Sequence, residues 1–259
     1  MIRFLRDRKR RRLRATPFPE EWRRILEHRF VAFRRLSAAD REELLGHVQV
    51  LLAEKRFEGC GGLELTDEVR VLVAAQAAML LLHRDTDYYP GLYSILVYPD
   101  AYMVAVQHET DGGLVIEETL DHVGESWDTG SLIVSWKDVL RGAAERDEGC
   151  NVVLHEFAHQ IDGETGETDG VPKIEAPDLL ERWVKTFERE YDRLCLLADR
   201  GRRTFIDEYG ATHPSEFFAV STEHFFMEPV EFSRRHPDLY RVLSEFWRQD
   251  PKGWGKGVG

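Results

Sequence analysis

Along the first third of the chain, apolar residues recur every three or four positions. Trp22, Ile25, Leu26 and Phe30 fall on one face of a helix over residues 20–29, entered through Pro17 and Pro19. Ser37, with Asp40 behind it, opens a second helix running to about Lys55. Thr66 caps a third, from Asp67 to about His83, whose alanines and leucines predict burial nearly all round. Residues 57–62 between them read as a glycine-rich connector, because they lack the Lys-Ser/Thr of a phosphate-binding loop.

From Tyr93 the texture changes. Residues 93–98, 102–106, 113–117 and 130–136 are short runs rich in β-branched and aromatic residues, and glycine-bearing turns at 111–113 and 128–130 punctuate them. They predict a small mixed sheet of about four strands. Helical spacing returns at 137–144, at 151–162 and at 177–197, where Leu180, Trp183, Val184, Phe187, Tyr191 and Leu194 share one side. A helix follows over 216–226 with Ser215 as its N-cap, and Pro229 and Pro237 bound a last helical segment to about Arg248. The fold class is therefore α+β. One catalytic domain is expected over 17–250, between a basic, flexible arm at 1–16 and a glycine-rich tail at 251–259.

The stretch 151–163 carries His155, Glu156 and His159 in the spacing His-Glu-x-x-His. Residues four apart lie one above the other on a helix, so both imidazoles can reach one metal ion. Zinc suits the pair, since it takes imidazole nitrogens at about 2.0–2.1 Å and leaves room for a third ligand and a water. Glu156 is placed to take a proton from that water. Val153, Leu154, Phe157, Ala158 and Ile161 predict a buried face, while His155, His159 and Asp162 form an adjacent polar stripe, with Gly163 as a C-cap. The competing reading is an ordinary polar stripe on an amphipathic helix.

Two histidines do not hold catalytic zinc. A nearby third histidine would have to stand at position 165, which is Thr, and position 162 is Asp where that pattern needs Gly. Glu216 is the leading candidate from elsewhere in the chain, at the first turn of a helix with Val220 and Glu223 on the same face; as a plain capping glutamate it would look the same. His213, three residues earlier, is a rival expected near the site rather than on the metal. Asp162 either holds a ligand histidine through its second nitrogen or sits idle at the helix end, and Glu223 is a second candidate for that orienting task.

Composition narrows the setting. The 259 residues are 42% hydrophobic and 32% charged, as in a soluble globular protein, and no apolar run approaches a membrane span. The basic start lacks the apolar segment of a secretory signal. Cys60, Cys150 and Cys195 are too widely spaced for a disulfide framework or a cysteine zinc site, which points to the cytoplasm; Cys150 is expected to be buried. The net charge of −12 combines a local +7 over residues 1–14 with −19 elsewhere, so nucleic acid is not an expected direct partner.

Two longer stretches carry a resemblance. Asn151-Val-Val-Leu-His-Glu-Phe-Ala-His159, followed by Tyr209-Gly-Ala-Thr-His-Pro-Ser-Glu-Phe-Phe-Ala-Val220, resembles the Mlc titration factor A family. Thr-Pro-Phe-Pro at 16–19 and Leu-Ile-Val-Ser-Trp at 132–136 extend the likeness from about Pro17 to Trp247. The resemblance implies a cytoplasmic, gluzincin-like zinc metallopeptidase with a zincin-like core similar to that of the anthrax lethal factor protease. It implies that His155, His159 and Glu216 bind one Zn2+, that Glu156 is the general base, and that Tyr209 faces the substrate oxyanion. It further implies aminopeptidase-like hydrolysis of peptides. The family's name implies binding of a Mlc-like transcriptional repressor, so a regulator-sequestering protein in which hydrolysis is secondary is the alternative. In such folds substrate lies along a sheet edge, for which 130–136 is the candidate; a core strand would read the same. Whether the site is open at rest is left undecided by the sequence, with loops 164–172 and 198–215 as the candidates to cover it.

Overall fold

The computed structural model describes residues 2–100, 104–105, 119–120, 130–145 and 149–255. The N-terminal part is helical: α1 (Ile2–Ala15), α2 (Glu20–Arg29), α3 (Val31–Arg35), α4 (Ala38–Glu54) and, after strand β1 (Arg56–Gly59), α5 (Asp67–Met79). Strands β2 (Ser94–Tyr98), β3 (Val104–Ala105), β4 (Thr119–Leu120) and β5 (Ser131–Ser135) follow. The C-terminal part comprises α6 (Trp136–Ala143), α7 (Val152–Asp162), α8 (Pro177–Asp199), α9 (Pro214–Met227), α10 (Pro229–Arg235) and α11 (Pro237–Trp247). Among these residues no helix is long and apolar enough to cross a membrane.

The sheet differs from the mixed four-stranded one that the sequence predicts. Three strands, all parallel, lie in the order β1-β2-β5, and β3 and β4 form a separate antiparallel pair. Glycines concealed β1: the connector read over 57–62 is a strand to Gly59, and the turn is confined to Gly61 and Gly62 at φ +58° and +83°. The predicted run 113–117 lies outside the described residues. In register, Ile95 faces Leu132 and Val97 faces Val134, and all four are buried. Each such side chain contributes about 1.5–3 kcal/mol when fully removed from water. β5 pairs only with β2 and so lies at the sheet's edge among the described residues, and Ser135 at its end caps α6.

Helix α5 is buried on all sides, as its composition predicts, and Thr66 Oγ1 accepts the Val69 N–H at its start. It stops at Met79 rather than near His83, because the chain turns there and His83 adopts φ +61°. Phe217, Phe218, Phe225 and Phe226 of α9 are buried too, and Trp183 of α8 stacks on Phe187 and meets Phe218 edge-on.

The expected flexible arm is a helix docked on α4. Arg6, Arg10 and Leu13 share its inner side. Arg10 forks onto Glu54 through Nε and Nη2 at 3.0 and 2.8 Å, while Nη1 reaches Asp87 Oδ1 at 2.6 Å. Its guanidinium also lies 4.7 Å from the Tyr88 ring centroid. The run of basic residues concealed these inward-facing positions, because charge density alone does not reveal which side chain meets an acid. The tail is also partly packed: Trp254 lies against Phe226, and the Gly255 N–H donates to the Arg35 carbonyl at 3.1 Å.

Tyr88 continues inward. Its hydroxyl bonds His47 Nδ1 at 2.8 Å, and His47 Nε2 reaches Glu43 Oε1 at 3.3 Å. The His47 bond, together with the His83 N–H, holds Glu43 down to about 2 against the opposing pull of burial, while burial holds His47 below its usual value. A depressed carboxylate stabilises the fold above its unfolded value and loses that contribution as pH falls toward the folded value. The melting-temperature gap between the native chain and Glu43→Gln should therefore be widest near neutrality and close between pH 4.5 and about 2 in a calorimetric series. Arg10→Ala leaves Glu54 and Asp87 without their shared cation and should cost about 2 kcal/mol in denaturant unfolding.

Candidate metal centre

Helix α7 begins at Asn151, whose Oδ1 accepts the N–H groups of Val153 and Leu154, both at 3.1 Å. The same side chain donates through Nδ2 to Gln76 Oε1 at 2.8 Å, which fastens the cap to α5. A Cβ at Gly142 would lie 2.7 Å from the Asn151 amide and 2.9 Å from Gln76 Oε1, so α6 approaches this point only through glycine. Val153, Leu154, Phe157, Ala158 and Ile161 are buried as their spacing predicts, and Phe157 meets Tyr89 edge-on with centroids 4.7 Å apart. His155 and His159 stand on the adjacent face.

Helix α9 starts two residues earlier than predicted. Pro214 takes the first helical position, where its missing N–H costs nothing. His213, not Ser215, is the cap: its Nδ1 accepts the Ser215 N–H at 3.2 Å and lies 2.7 Å from the Ser215 hydroxyl. His213 is thereby outside the metal group. Glu216, in the first turn, points toward α7.

Three donor atoms converge there. His155 Nε2 lies 3.0 Å from Glu216 Oε2, His159 Nε2 lies 3.3 Å from the same oxygen, and the two nitrogens are 3.1 Å apart. A tetrahedral ion with bonds of about 2.0–2.1 Å needs ligand atoms roughly 3.3 Å from one another. The near-equilateral triangle fits one metal ion, and His155, His159 and Glu216 are the one such group among the described residues.

The chain matches the profile of a family described as glucose-regulated metallo-peptidase M90 over residues 4–248. The chain belongs to this family. It is 41% identical to an uncharacterized protein of Synechocystis sp. over 246 residues, covering 95% of this chain and 90% of that protein. Mlc titration factor A of Salmonella agona is 30% identical over 223 residues, 83% of this chain and 82% of its own. The protein of that name from Klebsiella pneumoniae is 31% identical over the same shares.

Beside this His-His-Glu group, Glu223 joins α9 to α7. Its Oε1 lies 2.8 Å from His155 Nδ1, and its Oε2 accepts the Asn151 N–H. Asp162 acts elsewhere: its Oδ2 accepts the Gly170 N–H at 2.9 Å, and its Oδ1 has no partner among the described residues. Burial pushes Asp162 up to about 7, opposed by the Gly170 bond. Gly170, at φ +80°, is also held by Trp183 Nε1 through its carbonyl at 3.1 Å, so the loop after α7 is anchored here despite its charge. Tyr209 sits in the 3₁₀ turn Glu208–Ala211, capped by Asp207 Oδ1, with its ring centroid 6.1 Å from that of His155. Cys150, expected to be buried, is exposed.

Glu156 is 6% exposed. Burial pushes it up to about 7, with Glu216 and Glu223 adding to the effect and His155 opposing it. Burial alone would lower His155, yet its bonds to Glu216 and Glu223 raise it well above the usual histidine range, while burial dominates at His159 and lowers it. Glu216 is held far down by the two histidines despite its burial. The cluster is an electrostatic environment that favours a cation.

Asn151 and Gln76 are the supporting residues that motif reading missed. The signal was present, since Gln76 is the one uncharged polar side chain in the otherwise apolar middle of α5. Replacing Glu223 by Gln removes the charge behind His155 and should weaken metal binding about 10- to 100-fold in a competition titration against a chelator.

Proposed function

We propose that the chain is a zinc-dependent peptidase of zincin-like architecture. The zinc would be held by His155 Nε2, His159 Nε2 and Glu216 Oε2, and Glu156 would serve as general base. One observation carries this reading: three donor atoms meet at tetrahedral spacing with a buried carboxylate on the intervening residue of the same helix. A nitrogen-rich set completed by one carboxylate suits zinc over magnesium or calcium, which prefer oxygen. When bound, the ion supplies Lewis-acid polarisation of a carbonyl and acidification of a water.

The protein's own groups do the rest. A carboxyl group near 7 is poised to take a proton at neutral pH and return it, so Glu156 accepts the proton of the attacking water and delivers it to the leaving amine. Glu223 holds His155 through Nδ1 and keeps Nε2 turned toward the focus. The Tyr209 hydroxyl is proposed to donate to the developing oxyanion. The edge strand β5 would align an extended substrate. Cleavage from the amino end of peptides is the proposed preference, with the acidic balance of the chain favouring a free amine. The setting proposed is cytoplasmic, with residues 17–250 acting as one catalytic unit on which α1 is docked.

A second function, binding a Mlc-like repressor, is supported by relatives named Mlc titration factor A. It is separable from hydrolysis. Glu156→Gln should reduce kcat about 10²- to 10⁴-fold while metal content and repressor binding persist. Loss of repressor binding in that variant would count against separate functions. Glu216→Gln should lose both zinc and hydrolysis; retention of both would remove Glu216 from the site. Acetylated peptides should be cleaved more slowly than their free-amine counterparts, and equal rates would refute the amino-end preference.

A further inference from the structure

A cavity of about 240 Å³ opens between the C-terminal half of α8, the segment 203–206 and the α10–α11 junction. None of His155, Glu156, His159 or Glu216 lines it, so it is separate from the metal centre. Its floor is apolar, formed by Leu194, Leu197, Phe205 and Ile206, whereas its wall carries Arg193, Arg203 and Arg235. Three arginines around one hollow are unexpected in a chain of net charge −12.

The counter-charges there are already engaged. Glu190 is the carboxylate among the lining residues; its Oε2 bonds His236 Nδ1 at 2.9 Å and its Oε1 accepts from Arg189 Nη2 at 3.2 Å. Arg193 stands off from it at 3.9 Å. Arg235 is bonded to Glu231 and lies 5.1 Å from the Phe205 ring centroid. Among the described residues Arg203 makes no hydrogen bond or ion pair, and Arg193 has only its long ion pair with Glu190.

We propose that this cavity binds a small phosphate monoester, with the phosphate held by Arg193 and Arg203 and the organic body seated on Leu194, Leu197 and Phe205. Guanidinium forks match phosphate oxygens in pairs, and two such cations balance a dianion where one carboxylate would leave excess positive charge. The volume falls below the roughly 300–1,000 Å³ of drug-sized pockets, which limits the body to about one ring. The apolar floor discriminates an ester from free phosphate.

Isothermal titration calorimetry on the metal-loaded full chain tests this with phenyl phosphate, inorganic phosphate and benzoate. Phenyl phosphate should bind saturably at one site and more tightly than either of the others. The double variant R193Q/R203Q should weaken it by about tenfold or more. Both side chains are exposed, so folding should be retained; unchanged circular dichroism and metal content would verify this. Leu197→Trp, which fills the hollow without touching charge, should abolish the same binding. Absence of saturable binding, equal affinity for benzoate, or undiminished binding in R193Q/R203Q would overturn the proposal; the last outcome would place the phosphate on the metal instead.

Discussion

Glu223 lies two turns along α9 from Glu216 and is 7% exposed, yet both of its oxygens are engaged by α7. One bonds His155 Nδ1 at 2.8 Å and the other accepts the Asn151 N–H. Burying a carboxylate costs several kcal/mol unless hydrogen bonds replace its water, and here they do. The pairing ties the helix bearing the two imidazoles to the helix bearing Glu216. It also orients the ring: with Nδ1–H donating to the carboxylate, Nε2 is the atom that faces His159 and Glu216. The triangle of donor atoms is a consequence of this junction.

Behind it stands a second layer. Asn151 ties α7 to α5 through Gln76, with Gly142 leaving room for the contact. On the opposite side, Asp162, Trp183 and the start of α9 meet at Gly170, where a Cβ would lie 2.5 Å from the Pro214 carbonyl oxygen. Because Pro214 is two residues from Glu216, the loop that follows His155 and His159 is pressed against the segment that carries Glu216. Trp183 and Phe218 are fully buried in the aromatic packing of this region, and burial strengthens electrostatic contacts.

Charge is distributed by purpose rather than evenly. The basic N-terminal helix directs Arg10 inward onto Glu54 and Asp87 and leaves most of its other cations in solvent. The candidate metal centre gathers Glu156, Glu216 and Glu223 around two imidazoles; burial, with the two neighbouring carboxylates adding to it, raises Glu156, and the cluster favours a cation. The arginine-walled hollow beside α8 has the opposite sign.

Local rules made much of this legible in the sequence. Four-residue spacing placed His155 and His159 on one face of a helix, cap chemistry placed the starts of α4 and α5, and short runs of β-branched and aromatic residues placed β2 and β5. Glu216 was legible as a candidate only, since a capping glutamate and a metal ligand share the same local pattern. What the sequence left open were relations between distant segments. Glu223 bonds His155 while Asp162 accepts the Gly170 N–H, Arg10 finds two acids more than forty residues away, and β1 joins the sheet despite its glycines. Periodicity reports which face of an element is apolar, because that depends on neighbours three or four residues apart. Which partner that face meets depends on how the whole chain packs, and only the tertiary structure decided it.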